Sequence, residues 1–355
     1  MEQKNKILVA PLNWGIGHAT RSIPIINALL NEGLEPIIAS DGEALELLQK
    51  EFPKIKTYKL PAYKIKYAKR GWYLKLKLAM QIPRILTIIK EEQKQIKQII
   101  KKEKLKGIIS DNRFGVYSAE IPSVYITHQI KVKSGITTSI TTKLHQKIMK
   151  KFDEIWIPDY KEKPRLAGEL SQKKNQDTKI KYIGVLSRFK TEKIEKKEKE
   201  NDILVLLSGT EPQRTILEEK LIKELEKYPK KVKFVRGIQS KKQTLKNTKN
   251  TTYINFLGQE ELQKAIKQSE IVISRSGYST IMDLAVLQKK AFFIPTPGQT
   301  EQEYLAKYLQ ETKIAPYTKQ AKFTIEDLNR IENYTGFNTK ITRENKYLFA
   351  IFKNR

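Results

Sequence analysis

The stretch IVISRSGYSTIMDLAVLQKKAFFIPTPGQTEQEY, Ile271–Tyr304, sets how the rest of the chain is read. Ile271-Val272-Ile273 is a short apolar run of the kind that forms a buried strand. A polar turn with a glycine follows, Ser274-Arg275-Ser276-Gly277-Tyr278, after which Ser279 or Thr280 can cap a helix running to about Leu287. A second apolar strand, Ala291–Ile294, leads into the loop Pro295-Thr296-Pro297-Gly298-Gln299-Thr300. A strand, a small-residue turn and a helix N-terminus together make an anion site, because free backbone N–H groups and the helix dipole converge on one point. Asp283, one turn into the helix, can accept hydrogen bonds from a pair of ribose hydroxyls. Diphosphate and ribose together imply a nucleotide. Thr280-Ile281-Met282-Asp283 also fits a helix capping box, which needs no ligand. This stretch alone leaves both readings open.

The 355 residues are enough for two domains of ordinary size, and a hydrophobic share of 39% supports packed cores. The absence of cysteine removes disulfides and thiolate metal sites and suits a reducing compartment. No apolar run approaches a membrane span, and Ile7–Ala10 is too short for a signal-peptide core, so a cytoplasmic location is expected. A formal charge of +29 points to an anionic partner: nucleic acid, an anionic membrane surface or a phosphorylated substrate. Most of that charge is lysine in a chain also rich in isoleucine, a composition that AT-rich coding bias produces with no partner at all.

The N-terminal part opens with the strand Ile7–Ala10, a loop with two glycines (Gly15 and Gly17) ending at His18, and a helical pattern from Ala19 to Leu30. Gly33 closes that helix, Glu35–Ala39 is the next strand, and Asp41–Glu51 is helical again. This β-loop-α-β opening is the Rossmann pattern, although GxGH lacks the third glycine of the dinucleotide fingerprint. Leu105–Ser110 and Ser123–Thr127 read as strands ending in Asp111 and His128, where open α/β sheets bind ligands. A loop-capping role accounts for either residue equally well. His145, between Lys143 and Lys147, reads as an exposed helix residue.

From Lys54 to Lys106 the chain interleaves lysines with aromatics and leucines, including Lys64, Lys66, Lys69, Arg70 and Trp72. Such a run suits single-stranded nucleic acid or an anionic membrane surface, and for Tyr63–Leu86 membrane contact is the favoured reading. Gln93–Lys106 reads as a core-packed helix with a solvated lysine face. The strands Glu154–Pro158 and Lys181–Leu186 finish the first half. The charged run 188–201 is expected to be a linker between domains 1–187 and 202–355. Ile203–Leu207 then starts a second half as a fully apolar strand, typical of a parallel sheet covered on both faces. Ser208-Gly209-Thr210-Glu211-Pro212 turns into a helix from about Thr215 to Lys227. The strands Val232–Arg236 and Thr252–Phe256 and the helix Glu260–Gln268 come next. From Phe323 the tail reads as helices, and its aromatic end, Tyr347–Phe352, is placed to cross back onto the first half.

Two Rossmann-like halves, a GxGH loop in the first and a nucleotide-type loop late in the second, resemble glycosyltransferases of the α/β GT-B fold. Within that fold the chain is similar to the MurG-like, family 28-like group of UDP-sugar transferases. Arg275-Ser276-Gly277-Tyr278-Ser279-Thr280-Ile281-Met282-Asp283 resembles that group's R-S-G-x-x-T-x-x-E stretch. Pro295 with Gln302-Glu303-Tyr304 resembles its P…Q-Q-Y stretch, and Ser208-Gly209-Thr210 stands in the place of its glycine-rich loop. Leu204–Arg214 also resembles an uncharacterised branch found in bacteria and archaea. The chain departs from the pattern where the group's ribose-binding Glu is Asp283 and its second Gln is Glu303.

The resemblance implies two parallel-sheet domains facing a cleft and the transfer of a sugar from a nucleotide-sugar. The donor would be held by Gly17, Ser208, Gly209, Thr210, Arg275, Ser276, Gly277, Ser279, Thr280, Asp283, Gln302 and Glu303. Helix dipoles and side-chain donors stabilise the leaving group in this group of enzymes, so no cofactor and no metal are expected, and the sequence contains no D-x-D pair. Inverting transfer needs a general base, for which His18 is the first candidate and Asp111 the alternate or the residue that orients it. The acceptor implied is a lipid or lipid-linked glycan, with Lys64, Lys66, Lys69, Arg70 and Trp72 meeting it or the membrane, peripherally on the inner face of the cell membrane. Two rivals stand beside this. One is a nucleotide-sugar epimerase of the same fold, which needs carboxylates for carbon-acid chemistry. The other is a basic nucleic-acid- or membrane-binding protein without transferase activity, whose nucleic-acid binding would weaken steeply with salt.

Overall fold

The computed structural model describes residues 5–63, 82–134, 138–172, 178–189, 200–238, 240, 242–338 and 348–353. Among them the chain forms two compact units. The first takes the described residues up to Ser187 together with 348–353, and the second those from Arg188 to 338.

In the first unit seven strands form one parallel sheet: β1 (Lys6–Pro11), β2 (Glu35–Ser40), β3 (Thr57–Lys59), β4 (Gly107–Asp111), β5 (Ser123–Ile126), β6 (Glu154–Ile157) and β7 (Ile180–Tyr182). Their spatial order is β3-β2-β1-β4-β5-β6-β7. The chain therefore winds outward in both directions from the β1–β4 pair, in which Pro11 stands opposite Asp111. Ile7, Leu8, Val9, Ile108 and Ile109 are completely or almost completely buried, as central parallel strands covered on both faces must be. Among the described residues its helices are α1 (Gly17–Asn31), α2 (Gly42–Glu51), α3 (Ile82–Glu103) and α4 (Thr138–Met149). Ile96, Ile99 and Ile100 of α3 pack with Leu8, Ala10 and Ile37 in one core cluster.

The second unit repeats the logic with five parallel strands, β8 (Asn201–Leu206), β9 (Val232–Val235), β10 (Thr251–Ile254), β11 (Ser269–Ser274) and β12 (Lys290–Phe293), in the order β10-β9-β8-β11-β12. Its helices are α5 (Gln213–Leu225), α6 (Gln259–Lys267), α7 (Tyr278–Val286) and α8 (Thr300–Glu311). Ile203, Val205, Ile273 and Phe292 pack with Leu217 and Leu221 in its core.

Several expectations are corrected. Gly277 takes the N-cap position of α7 with an extended backbone, so the helix starts before Ser279 and no side chain caps it; Thr280 and Asp283 do not form a capping box. Arg188 and Phe189 are part of the second unit, with Phe189 buried, while the rest of the expected linker up to 199 lies outside the described residues. Among the described residues the tail from Phe323 forms 3-10 helices, Ile325–Asn333 and Ala350–Phe352, and no α-helix. Its end belongs to the first unit, where the rings of Phe349 and Phe352 stand 5.9 and 6.3 Å from that of Trp156. His145 is buried, with Nε2 at 3.1 Å from the Tyr125 hydroxyl. The basic and aromatic residues Lys64, Lys66, Lys69, Arg70 and Trp72 lie outside the described residues.

Candidate active site

Strand order alone marks one place in the first unit. Loops leaving β1 and β4 diverge because their chains go to opposite sides of the sheet, which leaves a crevice at the carboxyl ends of those strands. The loop after β1 is Leu12–Ile16, with Gly15 at φ +79°, a conformation that L side chains rarely adopt. It delivers Gly17 and His18 to the first turn of α1, whose N-terminus has no side-chain cap. Asp111 is the last residue of β4, so both reach the same crevice.

His18 Nδ1 lies 2.9 Å from Asp111 Oδ1. Arg21, one turn further along α1, grips the same carboxylate at both oxygens: Nε donates to Oδ2 at 2.6 Å, and Nη2 donates to Oδ1. Nη2 also lies 2.9 Å from His18 Nδ1, and Nη1 is 3.4 Å from Nδ1 of His128, the buried residue that follows β5 by two positions. Burial pushes the Asp111 carboxyl up, but the charges of Arg21 and His18 outweigh it and hold the group well below the usual carboxylate range. Burial lowers His18 below the ordinary imidazole value; Asp111 opposes this, while Arg21 and His128 add to it. His18 Nε2 has no hydrogen-bond partner among the described residues. The arrangement is thus an ionised carboxylate behind a neutral, partly exposed imidazole, which is what a general base requires.

Buried polar groups brace this site. Asn112 adopts φ 58° and accepts a hydrogen bond from the Tyr125 hydroxyl at 2.9 Å, and His145 stands behind Tyr125. Arg113, fully buried, donates to Glu92 Oε1 at 2.7 Å, Asp41 Oδ1 at 2.8 Å and the Pro61 carbonyl at 2.6 Å. These bonds tie the segment that carries Asp111 to α3 and to the ends of β2 and β3.

The second unit has its own divergence point, between β8 and β11, with Ser274 opposite Leu206. Ser208, Gly209 and Thr210 follow β8; Gly209 has φ +109° and nothing within 4 Å of where a Cβ would stand. Arg275, Ser276 and Gly277 follow β11. Arg275 was expected to meet the donor, yet its side chain is buried and donates to the carbonyls of Ile294, Pro295 and Gln213 at 3.1, 3.2 and 2.7 Å. It fastens together the three loops that follow β8, β11 and β12. Ser276 Oγ donates to the Gln302 carbonyl at 2.8 Å. The Gln302 side chain accepts from Thr296 N at 2.9 Å and donates to Gln299 at 2.6 Å, while Glu303 Oε1 accepts from Gly298 N at 3.1 Å. Ser279 and Thr280 occupy the first turn of α7, with Asp283 one turn on. The uncapped N-terminus of α7 therefore opens among glycine, serine and threonine residues, as an anion site does.

Of the expected residues, His18, Asp111 and Gly17 meet in the first unit; in the second, Ser208–Thr210 and Arg275–Gly277 lie on the loops after β8 and β11, Ser279, Thr280 and Asp283 in the N-terminal part of α7, and Gln302 and Glu303 in the first turn of α8. Two residues were not foreseen. Arg21 carried a signal, since it stands three positions after His18 and shares its helix face. Arg188 comes within 3.8 Å of Asp283 Oδ2 through Nε, and that buried Nε has no hydrogen bond. Its place at the head of a charged run concealed it.

Residues 203–344 match the model of the Glycosyltransferase family 28 C-terminal domain. The chain is 27% identical over 294 residues to the UDP-N-acetylglucosamine--N-acetylmuramyl-(pentapeptide) pyrophosphoryl-undecaprenol N-acetylglucosamine transferase of Clostridium tetani, covering 79% of this chain and 75% of that one. It is 24% identical over 377 residues to an uncharacterised glycosyltransferase of Methanosarcina acetivorans, covering 95% and 93% of the two chains. Its fold matches the crystal structure of the glycotransferase of kitacinnamycin with a TM-score of 0.67 at 14% identity, over 93% of this chain and 90% of that one. The two parallel α/β units have the GT-B fold, and the family 28 match together with the sequence relatives marks the chain as a glycosyltransferase. Its C-terminal part is similar to the family 28 C-terminal domain, and its relatives include MurG-like transferases.

Proposed function

We propose that this chain transfers a glycosyl group from a nucleotide-sugar, with uridine diphosphate as the carrier, to a hydroxyl of a lipid or lipid-linked glycan, inverting the anomeric carbon. The observation that carries the reading is the His18–Asp111 pair, 2.9 Å apart, with Nε2 left to take a proton. The acceptor oxygen forms a bond to the anomeric carbon, its proton passes to His18 Nε2, and the bond to the diphosphate breaks. The departing charge is met by the uncapped N-terminus of α7 and the backbone around Ser208, Gly209 and Thr210, with no cofactor and no metal in the reaction. Asp283 holds the ribose, and Gln302 with Glu303 shapes the sugar end. The carrier and the lipid acceptor follow the name of the Clostridium tetani relative, a UDP-N-acetylglucosamine transferase acting on a pyrophosphoryl-undecaprenol.

The basic, aromatic run Tyr63–Leu86 supports a peripheral place on the inner face of the cell membrane. Among the described residues no helix is long and apolar enough to cross a membrane. Thermal unfolding against a panel of nucleoside diphosphates and nucleotide-sugars, followed by transfer assays with whichever donor binds, tests the reading. A raised midpoint with a uridine nucleotide and transfer lost in His18→Ala is the expected result. No shift with any nucleotide, beside tight salt-sensitive binding to RNA or DNA, would overturn it.

A further inference from the structure

The buried cluster behind His18 holds more charge than a base and its orienting carboxylate need. A carboxylate alone has two oxygens and free rotation about its last bond, so it can face an imidazole in several ways. Here Arg21 removes that freedom. Its Nε and Nη2 bind Oδ2 and Oδ1 of Asp111 as a two-pronged fork, and Arg21 is itself 2% exposed. With the carboxylate plane so fixed, Oδ1 faces His18 Nδ1 at 2.9 Å.

The same geometry bears on the tautomer. If Nδ1 were bare, it could accept from Arg21 Nη2 at 2.9 Å, but its lone pair would also face the ionised Oδ1 at 2.9 Å with no proton between them, and Nη2 already donates to that oxygen. If Nδ1 carries the proton, it donates to Oδ1, which accepts from Arg21 Nη2 through its other lone pair. The second arrangement leaves the lone pair on Nε2, the nitrogen with no partner among the described residues. We propose that Arg21 is the positioning residue of this site: by gripping both oxygens of Asp111 it fixes the Nδ1–H tautomer of His18 and keeps Nε2 as the proton acceptor. This rests on the reading of His18 as the base.

Among the described residues, the charged and titratable groups that face His18 are Arg21 from α1, Asp111 from the end of β4 and His128 beyond β5. Of these, Asp111 favours the protonated imidazole, whereas Arg21 and His128 oppose it. Removing the Arg21 charge therefore lets His18 hold its proton to higher pH, and it frees Asp111 to turn.

The chain has three histidines, so nitrogen-15 labelling of histidine gives a spectrum with few signals, assigned through His18→Gln, His128→Gln and His145→Gln. In the full-length protein neutral His18 is expected to carry its proton on Nδ1 and to titrate below the ordinary imidazole value. In Arg21→Met its titration moves to higher pH, the Nε2–H form appears, and kcat falls about 100-fold, as a misplaced catalytic group predicts, with KM for the donor unchanged. Arg21→Lys keeps the charge without the fork and is expected to fall between, with titration close to wild type but mixed tautomers. It also carries the test should Arg21→Met not fold. Wild-type tautomer and titration of His18 in these variants would overturn the proposal, whatever happens to kcat. Full turnover in His18→Gln would instead overturn the reading of His18 as the base, so the two failures are distinct.

Discussion

Arg188 Nε stands 3.8 Å from Asp283 Oδ2, and that N–H makes no hydrogen bond although it is buried. The guanidinium also lies over the Phe189 ring, 5.0 Å from its centre, which holds it in place. A cation kept beside the expected ribose carboxylate, with a donor to spare, is suited to an anionic ligand that brings an acceptor of its own. Asp283→Ala is expected to weaken uridine diphosphate binding about 10- to 100-fold, since hydrogen bonds to a charged group contribute about 1.5–3 kcal/mol. Asp283→Asn, which keeps the shape, should lose less. Titration calorimetry decides: an unchanged Kd in Asp283→Ala removes Asp283 from the donor site.

For the base, the sign of the pH dependence follows from the cluster. His18 acts only when neutral, and burial with Arg21 and His128 lowers its titration below 6.5 despite Asp111. The acid limb of kcat/KM is therefore expected below pH 6.5, with activity persisting where an ordinary histidine would already be protonated. His18→Ala should lower kcat about 10²- to 10⁴-fold, the usual contribution of a positioned base, and leave donor affinity unchanged. Asp111→Asn removes the charge that favours the protonated ring, so its residual activity should show a limb at still lower pH. A limb above pH 6.5 in the wild type would contradict this account of the site.

Both sheets were legible because their central strands are uninterrupted apolar runs, Ile7-Leu8-Val9 and Ile203-Leu204-Val205, which parallel sheets demand and turns bracket. Asp111 was legible because it ends such a run, and His18 because a glycine loop precedes it. What escaped depended on distant partners. His145 lies between lysines and reads as solvated, yet its burial is decided by Tyr125, twenty positions away on β5. Arg188 opens a charged stretch, and only the fold brings Asp283 to it. The start of α7 was misplaced because serine and threonine are strong caps, while Gly277 takes the position through its backbone and no side chain does the capping.

His145 gives a stability signature separate from activity. Burial lowers its titration to about 4, with the Gln129 backbone opposing and His128 adding slightly. The unfolded chain, with histidine at about 6.5, takes up a proton at this position before the folded one does. Its contribution is therefore complete above pH 6.5 and is lost as pH falls from there towards 4, an effect of about 3 kcal/mol when complete. Urea unfolding at a series of pH values, for wild type and His145→Gln, isolates it. The variant should lose less stability on acidification, by about one proton's worth of slope. Parallel curves would mean that His145 titrates normally.

The last prediction concerns the chain's end. Gly107 opens β4, and the ring of Phe352 fills the space where a Cβ would stand, with Ile7 Cδ1 closing the other side at 3.1 Å. Phe352 is 1% exposed and its ring meets that of Trp156, so it has no room to withdraw. Gly107→Ala is therefore expected to destabilise the first unit by about 1–3 kcal/mol, as overpacking does. Phe352→Ala should cost about 3–5 kcal/mol by opening a cavity in the same place. The double variant tests whether the two residues share one contact: with the ring gone, the added methyl meets open space, and Gly107→Ala should cost little or even recover stability. Additive losses in the double variant would show that Phe352 does not set the glycine requirement at 107, and that the end of the chain packs elsewhere.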